Sequence, residues 1–80
     1  MRRELIHKNI KVEVVPLPLV SEERRYASVM SMRRAGTESW HIQRSKEFRV
    51  GLTEPDDVFD RRATECEMYW IHHFGEEALT

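Results

Sequence analysis

The chain has 80 residues, 40% hydrophobic and 34% charged, with a formal net charge of −1. That length allows one domain with a small core, and that composition is too apolar for a disordered chain and too interrupted for a membrane-spanning run of ~20 residues. The near-neutral total hides a division. Residues 1–50 carry eleven Lys and Arg against six acids, whereas residues 51–80 carry two against eight.

The first predicted strand covers about 9–15, where Ile10, Val12 and Val14 alternate with Lys11 and Glu13 as in a half-buried strand. Pro16 and Pro18 are expected to stop it at an edge or a bend, because proline offers no ladder donor. Ser21 to Arg25 then reads as an exposed loop. The second strand covers about 26–34, with Tyr26, Met30 and Met32 toward the core and Ala27, Val29, Ser31 and Arg33 outward. Gly36 supplies a turn in which positive φ carries no steric cost.

A third strand follows at about 39–50, with Trp40 and Ile42 inward and His41 and Gln43 outward. Phe48, Val50 and Leu52 keep that parity, but Arg44 and Lys46 would interrupt the apolar face. One irregular strand with a bulge near Ser45 accounts for this, and a separate short strand at 48–52 is the alternative.

The helix is expected over about 54–74. Thr53 is its N-cap, Pro55 stands in the first turn, and Glu54, Asp56 and Asp57 complement the positive end. Phe59, Ala63, Cys66, Trp70 and Phe74 recur at steps of four, three, four and four, forming one apolar stripe to lie on the sheet. Gly75 ends it. The prediction is therefore a single α+β domain over 1–80: a three-stranded antiparallel sheet, open to a short fourth strand, with one long C-terminal helix on one face.

Catalytic constellations are not expected. Cys66 sits on the apolar stripe, where a cysteine serves as a small hydrophobe. His72 and His73 are adjacent on a helix and point roughly 100° apart, which does not suit shared coordination. No CxxC, HExxH or glycine-rich phosphate loop occurs. The helix acids Asp56, Asp57, Asp60, Glu65 and Glu67 read as a solvated, ion-paired face. The expectation is a non-enzymatic protein with no metal, no cofactor and no small-molecule substrate. One cysteine, unable to form an internal disulfide, and no apolar signal stretch at the start point to the cytoplasm.

A binding role is left. The sheet face away from the helix should show Lys11, Glu13, Ala27, Val29, Ser31, Arg33, His41 and Gln43, with Arg34, Arg44, Lys46 and Arg49 around it. The candidate binding face is thus Lys11, Arg33, Arg34, His41, Gln43, Arg44, Lys46 and Arg49, side chains able to reach phosphates and base edges. The same face carries Val15, Ala27 and Val29, a modest apolar patch for a protein partner or a second copy. It also matches an open face simply wetted by solvent. A protein partner or self-association is favoured over nucleic acid, because the acidic helix would repel a long polyanion. The division of charge along the chain could steer a charged partner or favour head-to-tail self-association, but the basic and acidic parts are expected first to attract each other within one molecule.

The order strand, strand, strand, helix over 9–74 resembles small bacterial βββα proteins of unknown function. It is also similar to the sheet-reading DNA-binding domains of integrase amino termini and plant ethylene-response factors. The resemblance lies in element order and implies the fold; it assigns no functional residue.

Overall fold

A computed structural model describes residues 2–20 and 22–76. Four strands, β1 (Arg3–His7), β2 (Ile10–Val20), β3 (Glu23–Met32) and β4 (His41–Gly51), precede one helix, α1 (Asp56–Phe74). The strands form a single antiparallel sheet in chain order. The α+β class and the C-terminal helix match the expectation. The fourth strand, however, lies at the amino end and not at 48–52.

β1 was hidden because its core-facing positions are Arg3, Leu5 and His7, only one of them apolar. Those positions follow from the register, which sets Arg3 opposite Val14, Leu5 opposite Val12 and His7 opposite Ile10. The hairpin turns on Lys8 and Asn9 alone, with Lys8 at φ 54 in the left-handed region and no glycine to announce it.

β2 runs through Pro16, which pairs with Tyr26, instead of stopping before it. The ladder explains why. The Asn9 carbonyl accepts from Arg33 N–H, so odd-numbered residues of β2 direct their backbone groups to β3 and even-numbered ones to β1. Pro16 therefore turns its missing N–H away from β3, and no β2–β3 bond is lost there; Pro18 falls where the β2–β3 register shifts, between Leu17 and Val20. Of Ser21 to Arg25, read as loop, Ser21 lies outside the described residues and Glu23 to Arg25 are the first residues of β3. Their charges are held by partners: Arg25 meets Glu47 at 3.0 Å, and Arg24 donates to the carbonyls of Gly51 and Glu54.

β4 is one irregular strand, the preferred of the two readings of the parity conflict. The bulge lies a little earlier than Ser45: Met30 faces Arg44 while Ser31 faces Ile42, leaving Gln43 as the extra residue. This reverses Trp40 and Ile42, expected inward; Ile42 is 74% exposed on the face away from the helix. Leu52, also expected inward, falls beyond the strand end and is half exposed.

The helix begins at Asp56, after Pro55, with no side-chain cap. Thr53 is not the N-cap. Glu54 closes the preceding turn instead, its carboxylate accepting the Gly51 N–H at 2.7 Å. Asp56 and Asp57 occupy the first turn and complement the helix dipole.

The apolar stripe lies on the sheet. Phe59, Ala63 and Cys66 join Val14, Tyr26, Phe48, Val50 and Val58 in one cluster, and Trp70 joins Ile10, Val12, Met30 and Met32 in another, with Phe74 packed beside it. Tyr26 bridges strand and helix by an edge-on contact with Phe59 at 4.7 Å.

Candidate functional site

No described element covers the sheet face opposite α1. Cross-strand register orders this open face into rows. Ile6, Lys11, Ser31 and Ile42 form the first; Glu4, Glu13, Val29 and Ser45 the second; Val15, Ala27 and Glu47 the third; Leu17, Arg25 and Arg49 the fourth. Ala27 and Ser31 are buried by their longer cross-strand neighbours, and Val29 is half-buried.

The charges of this face balance. Glu4, Glu13, Glu23 and Glu47 share it with Lys11, Arg25, Arg33 and Arg49, and most are paired. Lys11 lies 3.5 Å from Glu13, Arg49 lies 3.6 Å from Glu23, and Arg25 donates twice to Glu47.

The sequence-predicted basic set does not gather in one place. Lys11, Arg33 and Arg49 lie on the open face, and Arg34 is exposed in the turn. That turn is closed by Thr37 N–H donating to the Arg34 carbonyl, with Gly36 at φ 83 as anticipated. His41 stands opposite Met32, on the helix side. Gln43 sits in the bulge and donates to the His41 carbonyl. Arg44 and Lys46, on the helix side with Phe48 and Val50, lie over the rings of Phe74 and Tyr69 at 5.4 and 3.8 Å. Strand alternation alone divides the cluster: Arg44 and Lys46 share the parity of Phe48 and Val50, whereas Arg49 has the opposite one.

Sequence reasoning missed Ile6, which belongs to the unrecognised β1, and Trp40, which was assigned to the core. Trp40 is half-buried at one end of the open face, with the Arg33 guanidinium 4.6 Å and the Lys11 ammonium 5.2 Å from its ring centroid. The clash of Arg44 and Lys46 with the apolar parity was the available signal. It located the irregularity to within two residues but not the side on which Trp40 and Ile42 would fall.

Burial pushes the Cys66 thiol above its ordinary value, with Lys46 and a hydrogen bond to Ser28 opposing the shift. Its thiolate is disfavoured, the reverse of what a nucleophile needs. Among the described residues, no three His, Cys, Asp or Glu side chains are placed to share a metal ion, and no helix is long and apolar enough to cross a membrane. No family model, curated protein or solved structure matches this chain.

Proposed function

We propose that the protein is a non-enzymatic accessory module that engages another protein through the open face of its sheet. The observation that carries this reading is the character of that face. Paired, balanced charges surround Val15, Ala27 and Val29, while Ile6 and Ile42 stand half or more exposed at the two ends of one row. A protein partner is suited by such a mixture of apolar centre and polar surround. A polyanion is less so, since Lys11, Arg25 and Arg49 already have carboxylate partners.

One observation favours a second reading. Trp40, with Lys11 and Arg33 against its ring and Arg34 on the adjoining turn, resembles an aromatic platform flanked by cations, the arrangement that stacks single-stranded bases.

Co-purification with a tagged copy, with and without nuclease, combined with titration against duplex DNA, single-stranded DNA and RNA at low salt, separates the two readings. On the protein-partner reading, a nuclease-resistant partner is retained by wild type and by Trp40→Ala but lost by Val29→Lys, with circular dichroism unchanged. Nucleic-acid binding that weakens by roughly 0.7–0.9 log units per phosphate contact for each tenfold rise in salt, and is abolished by Trp40→Ala, replaces it with the second.

A further inference from the structure

The sheet has two long borders, and they differ. Along β2, the stretch beyond the reach of β1 carries Pro16 and Pro18, which have no N–H to offer a neighbouring strand. β4 has no proline, and among the described residues no strand lies on its outer side.

Which backbone groups it exposes follows from the ladder. Leu52 N–H donates to the Glu22 carbonyl, so the even-numbered residues of β4 after the bulge face β3 and the odd-numbered ones face outward. Gly51 agrees with this, since its outward N–H is taken by Glu54 and its carbonyl by Glu54 and Arg24. Ser45, Glu47 and Arg49 are left with N–H and C=O directed at the free edge. Basic side chains on an edge strand ordinarily discourage pairing. Here Arg44 and Lys46 are folded back over Phe74 and Tyr69 on the helix side.

We propose that β4 pairs antiparallel with β4 of a second copy, about a two-fold axis at Phe48, to give one continuous sheet with both helices on the same face. The register is selected by charge. Centring the pair on Lys46 sets two ammonium groups opposite each other, and centring it on Glu47 sets two carboxylates opposite each other. Centring it on Phe48 sets Glu47 against the partner's Arg49 and Arg49 against the partner's Glu47, while the backbone groups of these residues exchange hydrogen bonds. Pairing ends at Gly51, whose groups are already satisfied. This edge contact is separate from the open-face reading and stands or falls without it.

The test is the mass of the particle in solution, by light scattering or sedimentation over a wide concentration range, with circular dichroism to verify the fold. Wild type should reach twice the chain mass. Glu47→Arg and Arg49→Glu, each confronting like charges, should run as single chains, and their equimolar mixture should return to twice the chain mass because the two altered edges complement each other. Amide exchange supplies a readout that needs no variant: protection of Glu47 and Arg49 N–H should rise with concentration while Ser45 N–H stays open. Wild type remaining a single chain at millimolar concentration overturns the proposal, as does a mixture that stays monomeric or concentration-dependent protection of Ser45.

Discussion

Trp70 shows how one residue joins helix to sheet. It is 2% exposed among Ile10, Val12, Met30 and Met32, and its indole N–H donates to the buried Ser28 hydroxyl at 3.1 Å. Both parts of the side chain are thus satisfied, the rings by packing and the nitrogen by an acceptor, as a buried indole requires. Trp70→Ala should cost about 3–5 kcal/mol in urea unfolding, combining lost transfer energy with a cavity. In a Trp40→Phe background the remaining fluorescence reports Trp70 alone and should be blue-shifted. Exposed-indole emission, or a loss under about 1 kcal/mol, contradicts this account of the core.

Among the elements, β1 depends most on a polar contact. Leu5 is its single apolar core-facing residue, and Arg3 supplies the anchor by donating to both oxygens of Glu67 at 2.8 and 2.9 Å. Glu67 is 3% exposed, so its carboxylate has given up water for this partner. Removing one member of a buried pair commonly costs about 3–5 kcal/mol, reduced here to roughly 2–3 because the Arg3 side chain is 32% exposed. Arg3→Ala should therefore destabilise by that amount. Adding Glu67→Leu to Arg3→Ala should recover most of it, since no unpaired charge remains. A double variant as unstable as Arg3→Ala would show that the helix position requires a carboxylate for another reason.

At the scale of the whole molecule, the division of charge along the chain is answered within the fold. The basic sheet and the acidic helix region meet at Arg3–Asp60, Arg3–Glu67, Arg24–Asp56 and Lys8–Glu76. A hydrogen bond from Lys8 holds the Glu76 carboxyl below its usual range. Exposed pairs of this kind are screened by salt. Raising sodium chloride to about half-molar should lower the urea midpoint modestly, with Arg3–Asp60 and Arg24–Asp56 together contributing less than about 1 kcal/mol. A midpoint that rises with salt would mean that repulsion among the sheet cations outweighs these contacts.

The helix, its buried stripe, the alternation of Ile10, Val12 and Val14, and the turn at Gly36 were all legible in the sequence, because each rests on a local period or a local conformational need. β1 was not, since Arg3 and His7 take core-facing positions that an apolar pattern cannot mark, and the partners of Arg3 (Glu67, Thr64 and Asp60) are all distant in the chain. The run through Pro16 was hidden for a related reason: whether a proline interrupts a ladder depends on which neighbour its nitrogen faces, and only the assembled sheet determines that. The candidate face shows the limit most clearly. Arg33, Arg34, Arg44, Lys46 and Arg49 are near one another in sequence, but side-chain direction in a strand reverses with each residue. Arg44 and Lys46 share the parity of the buried Phe48 and Val50 and so lie on the helix side, while one extra residue at Gln43 was enough to send Ile42 to the open face.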